Sequence, residues 1–322
     1  MRPVNAMTRI EYAADQQPTF LARWASRIAI FCAVLLLVSL ILHRLFALST
    51  PVALNIAFAA FAGAALVLVM ALVAGIDIWI TGRQGAARVV SGAVVALGLL
   101  AIPMSLLVVS REWPAINDVT TDVAAPPQFA EISKLRETGS NTADYAGDAF
   151  ATLQKTSYPD LKPLIVARSP DEAFEIVLQA LGKLRLKTLS EVPPSAAADG
   201  MGSIELSDHT LILGFVDDIA IRVAGEGPGE TNAARIDIRS ASRFGRHDFG
   251  RNAERVRLVL KEIVGRLEAT VPSGDKKPAA RAAKDGKALI KRPEARDRPS
   301  AGARSKSNPS RSKTRRAPEP SE

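Results

Sequence analysis

The chain has 322 residues, a formal net charge of +8, 48% hydrophobic residues and one cysteine. A lone cysteine excludes a disulfide framework, and three scattered histidines (His43, His209, His247) have no metal-ligand spacing, so neither a metal nor a cofactor is expected. The charge is uneven: residues 273–322 hold 15 lysines and arginines against six acids, which leaves the rest of the chain close to neutral.

Three apolar runs, residues 28–48, 52–76 and 89–109, come first in chain order. Each approaches the roughly 20 residues a helix needs to cross about 30 Å of hydrocarbon. Trp24, Trp79 and Trp113 stand at their ends, where indoles anchor at headgroup level. His43 and Arg44 occupy the place where a cleaved leader would need small residues, so the first run reads as a span. Arg2, Arg9, Arg23, Arg27, Arg83 and Arg88 flank one side of the three spans, against Arg44 and Arg111 on the other. The positive-inside rule then predicts a cytoplasmic segment over 1–27 and everything from about Ser110 onward outside, which in a bacterial inner membrane is the periplasm.

Thr50 and Pro51 read as the N-cap and first-turn proline of the second helix, making a tight hairpin with the first. Ala59 with Gly63, and Ala60 with Ala64, are spaced to let helices approach closely within one protomer. Asp77 beside Trp79 reads as a solvated boundary acid rather than a proton relay.

Residues 110–272 are long enough for one domain. Its opening, through Pro126 and Pro127, reads as turn-rich and rising away from the membrane. Tyr158 to Pro163 reads as a second extended stretch before the apolar residues 164–167. Ser169 as N-cap, Pro170, Asp171 and Glu172 then start a helix to about Leu184, with Phe174, Val177 and Leu181 on one stripe. Beyond it the period becomes two. Ile204 and Leu206, then Leu211, Leu213 and Phe215, then Ile219, Ile221 and Val223, then Ile236 and Ile238 alternate with Glu205, Arg222, Asp237 and Arg239. Such alternation predicts strands covered on one face, with turns at Ser207-Asp208 and Asp217-Asp218 and a longer connection over 225–229. A last helix follows Asn252. The prediction is an α+β domain: an antiparallel sheet with two amphipathic helices on its apolar face.

The densest polar cluster is Arg239-Ser-Ala-Ser-Arg-Phe-Gly-Arg-His-Asp-Phe-Gly-Arg-Asn252. Asp217-Asp218, Ile221-Arg222-Val223, Asp237 to Arg243, Gly245, Asp248, Gly250 and Asn252, with Asn117, Asp118, Asp122 and Tyr158-Pro159 upstream, resemble the bacterial family catalogued as domain of unknown function 1499. The likeness spans about 113–270. It implies a compact α+β domain and no established activity.

Arg239, Ser240, Ser242, Arg243, Arg246 and His247, before a helix N-terminus, would suit a phosphate or carboxylate through charge-assisted hydrogen bonds. Asp217, Asp218, Arg222, Asp237, Asp248 and Asn252 form the expected structural network, pairing with arginines and fixing the strand-to-helix corner. Within the candidate set, Arg239 is expected to be structural, and Arg243 and Arg246 open to a ligand. Ser242, His247 and Asp248 hold triad chemistry, but adjacent His and Asp rarely orient each other and no Gly-x-Ser-x-Gly elbow is present.

The tail, residues 273–322, has six prolines, seven serines and no aromatic residue, a composition that predicts disorder. It would serve as a basic arm for membrane lipid or cell-wall polyanions. Without aromatics it has no stacking platform, which disfavours nucleic acid. The function predicted is a membrane-anchored envelope module binding a phospholipid headgroup, a cell-wall polymer or a protein partner. The alternative is a hydrolase or transferase acting on an anionic envelope substrate.

Overall fold

The computed structural model describes residues 18–210, 212–227 and 232–270. The basic tail predicted over 273–322 lies outside the described residues, as does most of the N-terminal segment.

Three helices, α1 (Phe20–Leu45), α2 (Thr50–Thr81) and α3 (Ala86–Ser110), are long and apolar enough to cross a membrane, the build of a multi-pass membrane protein. Thr19 caps α1, its hydroxyl accepting from the Ala22 N–H at 3.2 Å. The N-cap of α2 is Ser49, so Thr50 falls one residue inside the helix, while Pro51 keeps its place in the first turn, where a missing N–H costs no helical bond. Ala60 and Ala64 are buried, as are Ala25, Ala29 and Ala96, whereas Ala59 faces outward. A Cβ on Gly63 would meet Cys32 Sγ at 2.6 Å, and one on Gly92 would meet the Ala25 backbone at 3.1 Å. The small residues therefore serve packing within the bundle, where lipid offers no hydrophobic drive and close approach supplies the attraction. Asp77 pairs with Arg83 at 3.7 Å across the end of α2.

The remainder folds around one six-stranded antiparallel sheet. Its strands are β1 (Asp118–Thr120), β2 (Leu164–Val166), β3 (Thr188–Val192), β4 (Gly202–His209), β5 (Val216–Gly225) and β6 (Ala234–Ser242). The order is β1-β6-β5-β4-β3, with β2 pairing the first half of β6 and β1 the second. Helices α5 (Pro170–Lys183) and α6 (Arg251–Thr270) cover one face, and the shorter α4 (Asp148–Ser157) lies beside β1. Ser169 caps α5 as expected. Phe174, Val177, Leu181, Val256, Val259 and Ile263 pack on Ile204, Leu206, Ile219, Ile221, Val223, Ile236 and Ile238. Full burial of each such side chain stabilises by about 1.5–3 kcal/mol.

Four expectations need correction. Ser207-Asp208 and Asp217-Asp218 are not turns; they lie inside β4 and β5 and face each other, Ser207 opposite Asp218 and Asp208 opposite Asp217. The turn is instead the stretch between them, with Ile212 and Leu213 at its tip and Thr210 N–H donating to the Phe215 carbonyl, so the strand predicted through Leu213 and Phe215 does not form. The polar face of the sheet is not open to water. The opening segment, rather than rising away, folds back as β1, a 3-10 turn (Ile132–Leu135) and loops that bury that face. Tyr158 ends α4 instead of standing in an extended stretch. Acids misread as turn formers explain the first error: Asp favours turns unless buried partners claim its carboxylate.

One end of the sheet faces the membrane helices. Trp113, three residues past α3, packs its ring where a Cβ on Gly250 would come within 2.3 Å of Cζ3. A Cβ on Gly214, in the β4–β5 turn, would lie 3.1 Å from Arg44 Cδ, and the Phe215 ring lies 5.8 Å from that of His43. The start of β1, the end of β6 and the start of α6 share that end.

Candidate functional site

Along β6 the side chains of Arg235, Asp237, Arg239 and Ala241, continued by Arg243, point to the covered polar face, because a strand alternates with period two. Arg239 is fully buried. Its Nε and Nη2 grip Asp118 at 3.0 and 2.7 Å, Nη1 donates to the Pro127 carbonyl and Nη2 to the Ala143 carbonyl. The Phe129 ring lies 4.5 Å from the guanidinium and completes its enclosure. Arg243 holds Asp218 in the same two-pronged way at 2.8 and 3.0 Å, and also donates to the Leu135 carbonyl and Ser207. Asp218 takes a third cationic donor from Arg136 Nε at 2.9 Å. Glu205, also buried, accepts from the N–H groups of Ala130, Glu131 and Ile132, so a carboxylate of the sheet caps the 3-10 turn lying over it. Toward the other end, Arg222 and Arg235 share Asp122 and Asp237.

A second network lies on the helix side at the membrane-facing end. The Ser240 hydroxyl donates to Asn252 Oδ1 at 2.7 Å, and Asn252 Nδ2 donates to Ser242 Oγ at 3.0 Å. Arg255 donates to Ser240, Asn252, Asp208 and Asp217. Asp248 caps α6, its carboxylate accepting from the Gly250 and Asn252 N–H groups at 2.8 and 3.0 Å. Burial pushes the Asp248 carboxyl above its ordinary value, against the pull of those N–H groups, and burial does the same to Asp118 against the pull of Arg239.

Between the β6–α6 corner and residues 141–150 opens a cleft of about 400 Å³. Asn117, Asp118, Asn141, Thr142, Asp144, Ser242, Arg246 and His247 supply its polar lining, the Asp118 carboxylate being held by Arg239, and Ala115, Ala146, Phe150 and Ala241 its apolar part. Asn117 and Asn141 both donate to the Gly245 carbonyl and so hold the corner in place. Arg246 is exposed, and among the described residues no ion pair claims it. His247 Nδ1 is buried without a hydrogen-bond partner among the described residues.

The structure thus divides the predicted anion set. Ser242, Arg246 and His247 come together on the cleft, whereas the donors of Arg239 and Arg243 are spent inside the protein and Ser240 is engaged by Asn252 and Arg255. Arg243 was expected to be open to a ligand. Its N–H instead donates to the Val216 carbonyl, continuing the β5–β6 ladder one residue past the strand and turning the side chain inward. The six residues of the expected structural network, Asp217, Asp218, Arg222, Asp237, Asp248 and Asn252, all lie in ion pairs or side-chain hydrogen bonds. Ser242, His247 and Asp248 are not joined to one another by any hydrogen bond among the described residues, and the Asp248 oxygens serve the helix cap. Sequence reasoning missed the roles of Asp118, Arg136, Glu205, Arg235, Asp122 and Arg255. For Arg255 a signal existed: Asn252, Arg255, Val259 and Ile263 share one helical stripe, which places a charge in line with core residues.

Comparison with family models matches residues 118–263 to the family described as protein of unknown function (DUF1499). No curated protein matches the chain.

Proposed function

For a member of this family carried behind three membrane-spanning helices, we propose a binding role: the cleft at the β6–α6 corner takes an anionic group, first of all the phosphate of a membrane phospholipid. The observation that carries this is the contrast among the arginines. Arg136, Arg239, Arg243 and Arg255 are each held by buried aspartates, while Arg246 stands on the cleft rim with His247 and has no ion pair among the described residues. A guanidinium free of internal partners can bind phosphate with two parallel hydrogen bonds. Asp144, on the same cleft, suits a hydroxyl or ammonium of a headgroup better than a second phosphate.

Place supports the same ligand class. Ala115 and Asn117, which line the cleft, lie only five and seven residues past the end of α3, so its mouth is near the headgroup layer. The arginine count over the flanks puts this side outside the cytoplasm, which gives an inner-membrane protein of bacterial type with a periplasmic domain. With Asp118 committed to Arg239, Asp248 to the helix cap, and Asp144 joined to neither Ser242 nor His247 by a hydrogen bond among the described residues, an envelope module without chemistry of its own fits better than a hydrolase. Thermal unfolding of the full-length protein in detergent tests the proposal, with soluble short-chain phosphatidylglycerol, glycerol phosphate, inorganic phosphate or cell-wall fragments added. The short-chain lipid should raise the midpoint in the wild type, only weakly in Arg246→Lys and not in Arg246→Ala. An equal shift in all three proteins, or none in the wild type, overturns it; a shift with wall fragments alone moves the ligand to the cell-wall polymer.

A further inference from the structure

The β4–β5 turn presents apolar side chains on the end of the domain that faces the bundle. Ile212 is 73% exposed and Leu213 41% exposed, in a domain whose other isoleucines on β4, β5 and β6 are buried. Three hydrogen bonds close the base of the turn. Thr210 N–H donates to the Phe215 carbonyl at 2.8 Å, Gly214 N–H to the Thr210 carbonyl at 3.0 Å, and Phe215 N–H to Thr210 Oγ1 at 2.9 Å. Gly214 holds φ at +74°, a conformation that costs a glycine little and lets the turn close against α1.

We propose that this turn is a membrane foot, with Ile212 and Leu213 seated in the headgroup-to-acyl boundary of the same bilayer that α1, α2 and α3 span. Depth is the first argument. Gly214 and Phe215 rest on Arg44 and His43, in the last turn of α1, and the next side chains, Leu45 and Phe46, are each 70% exposed. An apolar tip at the level where a spanning helix ends meets lipid rather than bulk water. Charge is the second. The groups around the tip are His43, Arg44 and His209, and the acids at the base of the turn among the described residues, Asp208 and Asp217, are both held by Arg255, at 3.0 and 2.8 Å, so their charge is offset before it meets an anionic headgroup. The foot and Trp113 would make two contacts at the membrane-facing end of the sheet and hold it against lipid. This inference does not depend on what the cleft binds.

Spin labelling of the full-length protein in phosphatidylcholine–phosphatidylglycerol nanodiscs tests it. In a Cys32→Ser background, one label is placed at Ile212→Cys and a control at Ala198→Cys, in the β3–β4 connection at the opposite end of the sheet. The label at 212 should collide preferentially with oxygen, which concentrates in lipid, and be shielded from a water-soluble nickel chelate. The label at 198 should show the reverse. Equal access of the chelate to both sites overturns the proposal, and shielding of 212 from oxygen and chelate alike overturns it in favour of a protein contact.

Discussion

Replacing Arg239 with alanine removes the one cation that holds Asp118 among the described residues. It also strips donors from the Pro127 and Ala143 carbonyls and the cation from the Phe129 ring. Breaking a buried pair by deleting one partner costs about 3–5 kcal/mol, because the other charge stays desolvated and unpaired. Arg243→Ala acts on a carboxylate at least as buried, but Asp218 keeps Arg136 Nε at 2.9 Å and the Ser207 hydroxyl at 2.8 Å. Its loss is then nearer the worth of charge-assisted hydrogen bonds, about 1.5–3 kcal/mol. A domain of this size shifts its midpoint by about 2–4 °C per kcal/mol, so the two variants separate clearly in thermal unfolding followed by circular dichroism in detergent. Combining Arg239→Met with Asp118→Leu should recover most of the loss, since an apolar replacement of the whole pair leaves no orphaned charge. An Arg239→Ala protein within about 1 kcal/mol of the wild type, or an Arg243→Ala protein damaged as severely as it, refutes the reasoning.

Burial pushes the hydroxyls of Tyr145 and Tyr158 up to about 12, with the charges of Asp118 and Asp248 respectively adding to it. Folding then favours the neutral phenols, so their contribution is whole below about pH 10 and is lost as the pH rises toward 12. Absorbance at alkaline pH should show two late phenolate steps, one removed by Tyr145→Phe and the other by Tyr158→Phe. Neither variant should lose stability, since both hydroxyls lack hydrogen-bond partners among the described residues. Gly250→Ala combines a φ of +77° with a Cβ driven into the Trp113 ring, so it should cost more than about 1 kcal/mol and red-shift tryptophan emission. In a Cys32→Ser background, a cysteine at Glu137 should react with an impermeant thiol reagent in intact cells and one at Gln84 should not; labelling at Gln84 alone reverses the orientation.

Periodicity and composition determined most of the architecture. Twenty apolar residues in a row have one stable home, and side chains three and four apart, or two apart, declare a helix or a strand before any contact is known. The spans, α5, α6 and the central strands were legible for that reason, and the Arg239–Asn252 run marked the right corner of the domain. What the sequence left open was partnership. Ser207-Asp208 and Asp217-Asp218 look like turns in one dimension; across the sheet they become facing rungs whose carboxylates are claimed by Arg243, Arg136 and Arg255. Arg243 and Arg246 look equivalent three residues apart, yet one more rung of the β5–β6 ladder turns the first inward while the second stands on the cleft. The opening segment shows no strong period, so only the fold reveals that it covers the sheet's polar face and buries the charges there. Local propensity is written in neighbouring residues. The choice of which charge meets which is made by groups such as Arg239 and Asp118, 121 positions apart, that only tertiary structure brings together.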